Sequence, residues 1–89
     1  MKRNYDDPVY KRWRIQVYKR DNFTCQMPGC KKKTALQAHH IQKWANASML
    51  RYDVDNGITL CRNCHKEVTG NEHHYQTLFR DILRKKNEL

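Results

Sequence analysis

The chain has 89 residues, the size of one domain, and a chain this short buries only roughly 60% of the surface its unfolded form exposes. With 38% hydrophobic and 30% charged residues, its core is thin, so burial has to be supplemented by disulfides, a metal or a partner. Eighteen Lys and Arg against nine Asp and Glu leave a net charge of +9, which favours a polyanionic partner; no segment pairs a wide apolar face with a lysine-rich one, which disfavours a membrane.

Asp7-Pro8 reads as an N-cap followed by proline at the first helical position, opening a helix to about Lys19. Val9, Trp13 and Val17 are expected on its packing face, with Lys11, Arg12, Arg14, Lys19 and Arg20 on the remainder. Asp21-Asn22 ends it. From Phe23 to Lys33 the chain reads as a knuckle in which Pro28-Gly29 turns Cys30 back towards Cys25. A strand is predicted from about Ala35 to Gln42, then a polar, irregular connection from Lys43 to Asn56. After Gly57 a second strand, Ile58 to Leu60, should pair with the first as a hairpin. Cys61-Arg62-Asn63-Cys64 forms a second knuckle running into a short helix that ends near Gly70. The last element, about Glu72 to Lys86, carries Tyr75, Leu78, Phe79, Ile82 and Leu83 at amphipathic helical spacing. The result is a small α+β domain, with a helical segment over residues 1–22, a knuckle-and-strand core over 23–70 and a terminal helix over 71–89.

Cys25 and Cys30 form a C-x4-C pair, and Cys61 and Cys64 a C-x2-C pair. No apolar signal segment precedes them, so a reducing, cytoplasmic setting is expected. In that setting two short-spaced pairs read as one zinc site of four thiolates, closed and structural, rather than as disulfides.

Between the cysteine pairs lie Ala38-His39-His40-Ile41 and then Asn56-Gly57-Ile58-Thr59-Leu60-Cys61-Arg62-Asn63-Cys64-His65. This arrangement resembles the HNH endonuclease family in its cysteine-containing form, over about Phe23 to Glu67, and the flanking helices resemble those of small phage-type members. The resemblance implies a zinc-stabilised, treble-clef-like ββα-metal finger flanked by N- and C-terminal helices. It implies that His40 is the general base, a role open to an imidazole with a reference pKa of about 6.5. His39 and His65 would be ligands of a catalytic divalent ion (Mn2+, Ni2+, Mg2+ or Zn2+), and the Asn56 amide would hold the inter-strand loop and so orient the base. The implied reaction is hydrolysis of a DNA phosphodiester leaving a 5′-phosphate, in a bacterial or phage-infected cell, beside a DNA-packaging machine or other protein partner or as a mobile-element enzyme.

The spacing of Cys64 and His65 suits that division of labour. Consecutive residues at a helix start project about 100° apart, so one can face the zinc and the other the cleft. His39 and His40 raise a difficulty, because neighbours on a regular strand point to opposite faces. Both reach one cleft only if the strand twists strongly or ends there; if it stays regular, His39 is expected on the zinc side and His65 is left as the ion's protein ligand. A two-histidine site carries no anionic ligand and should favour Mn2+ or Ni2+ over Mg2+.

Arg62 and Lys31-Lys32-Lys33 are candidate DNA-backbone contacts, which position a duplex without reading its sequence. His73-His74 lies outside the motif and reads as a surface or packing pair. Trp13 and the tyrosines at 5, 10, 18, 52 and 75 read mainly as core, whereas Trp44 sits where it could touch DNA. A lone finger has one active site, so nicking by a monomer or weak dimer, with little sequence preference, is the expectation. The competing class is a non-catalytic zinc-finger module binding DNA or protein, which would need neither His40 nor Asn56. A thiol redox protein is disfavoured, since no βαβ pattern surrounds the C-x2-C pair.

Overall fold

The computed structural model describes residues 7–42 and 51–87. Its elements are helix α1 (Pro8–Arg20), strand β1 (Leu36–His40), a 3-10 turn (Val54–Asn56), strand β2 (Gly57–Cys61), helix α2 (Arg62–Val68) and helix α3 (Glu72–Asn87). None of the described helices is long and apolar enough to cross a membrane.

The ends of α1 follow directly from its sequence. Asp7 accepts from the Val9 N–H at 2.8 Å, and Pro8, which has no N–H to satisfy, takes the first helical position. At the other end Asn22 adopts φ 56°, and the N–H groups of Asn22 and Phe23 donate to the carbonyls of Lys19 and Tyr18. This is a Schellman closure built on asparagine rather than glycine, and the Tyr18 and Phe23 rings meet across it at 6.0 Å.

β1 and β2 pair antiparallel, with Leu36 opposite Cys61, Ala38 opposite Thr59, His39 opposite Ile58 and His40 opposite Gly57. The strands are one or two residues offset from the predicted bounds, and their pairing is the expected one. Because side chains alternate, Leu36, Ala38, His40, Gly57, Thr59 and Cys61 share one face, and Gln37, His39, Ile58 and Leu60 share the other.

Each face meets its own layer. On the first, α1 packs Tyr10, Trp13 and Val17 against Ala38 and Val54. Val9, expected in this face, is 44% exposed, and Tyr10 is buried in its place; the stripe starts one residue later, at i, i+3, i+7 from Tyr10. Trp13 and Val17 come so close to β2 that a Cβ on Gly57 would lie 2.6 Å from each side chain. Glycine is therefore required at position 57 by contact, not by a turn. On the second face, Ile58, Leu60, Val68, Phe79 and Leu83 form a core that also takes in Cys25, Cys61 and Cys64. Leu78, predicted for that core, is 36% exposed, because α3 buries its stripe through Phe79 and Leu83 with Tyr75 and Ile82 at the margin.

Asp21 ties the layers together. It is 1% exposed and accepts from the Thr59 N–H of β2 at 2.9 Å and from two nitrogens of Arg20 at 2.8 and 2.9 Å. Arg20 also donates to the carbonyls of Val54 and Gly57, both at 2.6 Å. A buried carboxylate is tolerable only with such partners, and these staple the end of α1 to the start of β2.

Candidate active site and metal centre

The first knuckle is shaped by its turn. Pro28 is followed by Gly29 at φ 82°, and the Cys30 N–H donates to the Met27 carbonyl at 2.9 Å, a turn that needs glycine at its third position. The Cys25 N–H bonds the Lys32 carbonyl and the Gln26 N–H bonds that of Thr59, which fastens the knuckle to β2. Cys61 ends β2 and caps α2, and Cys64 lies in that helix's first turn.

The sulfurs of Cys25, Cys30, Cys61 and Cys64 all lie within 4.8 Å of one another, and none is in a disulfide. In a tetrahedral zinc site with Zn–S bonds of about 2.3 Å the sulfurs sit about 3.8 Å apart, and Cys30 and Cys61 are 3.8 Å apart. The four residues could therefore hold a zinc ion with little movement. The Cys64 backbone N–H, donating to Cys61, pulls that thiol down to about 7, while burial pushes the Cys25 and Cys64 thiols up. Gathering four thiols here is unfavourable for their thiolates without a cation, so a metal would release protons as it bound.

Cys64 and His65 diverge as expected. Cys64 is buried among the sulfurs, whereas the His65 ring meets that of His39 edge-on, centroids 5.3 Å apart. Two imidazoles sharing an ion at about 2.1 Å would have centroids on the order of 5 Å apart, a separation close to the one seen here. The Thr69 hydroxyl donates to the His65 carbonyl at 2.7 Å and lies 3.5 Å from His65 Nδ1.

The two histidines of β1 part as strand alternation requires. The strand is regular through His40, and His39 lies on the expected face, that of the cysteine-containing core, its ring edge-on to Phe79 at 6.0 Å; His65 is beside it and so does not stand alone. It is His40 that turns the other way. Its ring stacks on Trp13 with centroids 4.1 Å apart and planes 12° from parallel, and it is 6% exposed. Its Nε2 lies 2.8 Å from the Arg51 carbonyl oxygen. A carbonyl can only accept, so Nε2 carries the proton and Nδ1 is the basic nitrogen.

Asn56 is 6% exposed and closes the strand ends immediately beyond His40. Its Oδ1 accepts from the Gln42 N–H at 2.9 Å, its Nδ2 donates to the Gln42 carbonyl at 3.3 Å, and its own carbonyl accepts from the Ile41 N–H at 2.9 Å. The amide thus acts as one more rung of the ladder where the backbone has left the strand.

Trp13 does more than fill the core. Its Nε1 donates to the Asp53 carbonyl at 2.8 Å while its ring carries His40, so it holds both the imidazole and the loop whose Arg51 carbonyl fixes that imidazole. Sequence reasoning placed Trp13 in the core and missed this second task, as it missed Asp21 and Arg51. A carbonyl partner leaves no mark on residue identity.

Arg62 and Lys31, Lys32 and Lys33 are exposed, Arg62 at the start of α2 and the lysines after the first knuckle. His73 and His74, on the first turn of α3, are exposed as well. Trp44 and Tyr5 lie outside the described residues. Among the described residues the four cysteines are the one group of three or more potential ligands.

No curated protein and no solved structure matches the chain. A family model described as HNH endonuclease matches residues 25–71. That span, just over half of the chain, runs from the first cysteine to the residue before α3 and includes His39, His40, Asn56 and His65; the chain belongs to the HNH endonuclease family.

Proposed function

We propose that the protein is a metal-dependent DNA endonuclease that nicks duplex DNA by phosphodiester hydrolysis, with low sequence specificity of its own. The observation that carries this reading is His40, fixed in one tautomer by Arg51 and in one orientation by Trp13 at the end of β1, with His39 and His65 across the strand. A zinc-finger module that only binds has no use for such an imidazole.

A phosphodiester placed across the end of β1 would have His40 on one face and His39 with His65 on the other. His40 Nδ1 accepts the proton of the attacking water, and the resulting imidazolium is stabilised by its Nε2–H bond to the Arg51 carbonyl. Asn56 keeps Ile41 and Gln42 in place and so fixes the strand end from which His40 projects; it is a positioning residue. A divalent ion held by His39 and His65 would supply positive charge to the phosphate oxygens and the leaving 3′ oxygen. Cys25, Cys30, Cys61 and Cys64 hold a structural zinc. Arg62 and Lys31–Lys33 meet backbone phosphates, and the work is done in the cytoplasm of a bacterial or phage-infected cell, by a monomer or weak dimer.

Supercoiled plasmid incubated with the zinc-loaded protein and each of Mn2+, Ni2+ and Mg2+ tests this. Nicked circles should accumulate before linear DNA, faster with Mn2+ or Ni2+ than with Mg2+, since two neutral imidazoles hold the harder ion less well. Equal rates at limiting metal remove the metal argument. No cleavage with any of the ions, alongside intact DNA binding, returns the protein to the binding-module class.

A further inference from the structure

Arg14 on α1 is left unexplained by packing and by the proposed chemistry. Tyr10, Arg14 and Tyr18 stand at i, i+4, i+8 and form one side of a cleft of about 250 Å³. Leu36, Gln37 and Ala38 of β1 line it opposite them, and His65 lines it as well. Ala38 packs against α1 and Leu36, whose carbonyl Tyr18 of α1 reaches, against the cysteine-containing core, while Gln37 and His65 belong to the other face of the sheet. One edge of β1 is taken by β2, so a cleft touching residues of both faces passes the strand at its other edge or round its first residue, Leu36. It therefore runs from the α1 layer to the proposed metal-binding histidine.

Arg14 is the cation of this cleft. Its guanidinium carbon lies 6.0 Å from the Tyr10 ring centroid. Burial raises the pKa of the Tyr18 hydroxyl, and the Arg14 charge opposes it, which places the guanidinium in electrostatic contact with both tyrosines. That hydroxyl donates to the Leu36 carbonyl at 3.2 Å, so the edge of β1 is already covered at that point. Arg20 and Arg84 pair with Asp21 and Asp81, whereas among the described residues Arg14 enters no ion pair. A half-buried guanidinium beside the Tyr10 ring, with no carboxylate partner among the described residues and opening onto a cleft, is placed for an anion that accepts a planar fork of donors.

We propose that Arg14 binds a backbone phosphate of the DNA strand being cut, in the cleft between α1 and β1. Tyr10 and Tyr18 hold the guanidinium in position, and the DNA strand continues past β1 towards His65. The inference takes its ligand from the nuclease reading, but it concerns binding and can fail or stand separately. It also gives α1 a task in substrate alignment that the exposed Lys31–Lys33 patch, on a different part of the chain, does not duplicate.

The test is binding of a short fluorescein-labelled DNA duplex, followed by anisotropy over a series of salt concentrations, with the full zinc-loaded chain carrying His40→Ala so that no cleavage intervenes. Adding Arg14→Ala should weaken binding about tenfold and flatten the dependence of log K on log salt by about 0.9, the contribution of one neutralised phosphate. Arg14→Lys should keep the slope while losing part of the affinity, which separates charge from packing, and thermal unfolding of each variant excludes a folding defect. Lys85→Ala on the exposed last turn of α3 serves as a charge control. An unchanged slope in Arg14→Ala, or an equal loss in Lys85→Ala, overturns the proposal. If the duplex binds with the expected slopes but wild-type protein never cleaves plasmid, the nuclease reading fails and the phosphate site stands; if the parent protein does not bind the duplex, both fail.

Discussion

The two faces of the β1-β2 sheet are held by different physics. On the α1 side, Tyr10, Trp13 and Val17 pack on Gly57 and Ala38, and Arg20, Asp21 and Trp13 satisfy the buried polar groups of the neighbouring loop and strand. Everything needed is carried by the side chains themselves. On the α2 and α3 side the core contains the cysteine sulfurs, and its geometry becomes favourable when a cation neutralises them. His40 belongs to the first side and His39 with His65 to the second. The proposed base thus sits on a packing surface, and the proposed metal ligands on the face whose core includes a cysteine cluster that could hold a metal, with one strand joining them.

Removing the structural metal should give the largest effect and should break the comparison if the two sides are independent. Cys64→Ser, or exhaustive chelation, is expected to unfold the whole chain, because binding free energies of about 10–16 kcal/mol for structural zinc match or exceed the whole stability of a small domain. Far-UV circular dichroism reads the outcome. A chelated protein that keeps native helicity would show that the core stands without metal. The pH dependence has a fixed sign: ligand thiols must lose protons to bind, so affinity for zinc falls as pH falls through the Cys61 value of about 7 and the raised values of Cys25 and Cys64.

Gly57→Ala probes the packing side alone. The new methyl would meet Trp13 and Val17 at 2.6 Å, and overpacking of this kind costs about 1–3 kcal/mol. A lower urea midpoint with unchanged zinc content would sharpen the division between the two sides, while loss of zinc along with stability would mean that they are coupled through β2. Asn56→Ala should give the smallest change in stability for its effect on activity. The loop loses two hydrogen bonds to Gln42, and kcat should fall roughly 10–100-fold, the usual cost of removing an orienting partner. Asn56→Asp keeps the acceptor but loses the donor, and partial recovery in that variant would separate positioning from general destabilisation.

Much of this was legible in the residues. Cysteine spacing located both knuckles because a tetrahedral thiolate site demands short loops, and Asp7-Pro8 located the start of α1 because capping is local. The Cys64-His65 divergence followed from helix geometry alone. What depended on tertiary contact was not legible. Tyr10 rather than Val9 joins Trp13 and Val17 in the core, and the glycine that lets Trp13 and Val17 approach the sheet, Gly57, lies forty residues further along the chain. Asp21 reads as a helix terminator and proves to be a buried anchor for Thr59. The His39-His40 pair shows the boundary most clearly. Strand alternation required the two rings to separate, yet only the positions of Trp13 and His65 decide which ring goes to which partner.

The central claim is that His40 is the base of a metal-dependent nuclease. Its most direct test is the single-turnover rate of plasmid nicking by wild-type protein and His40→Ala, at matched zinc content and saturating Mn2+. Cleavage should fall by roughly 10²–10⁴-fold in the variant with DNA binding retained. Cleavage at the wild-type rate would contradict the assignment.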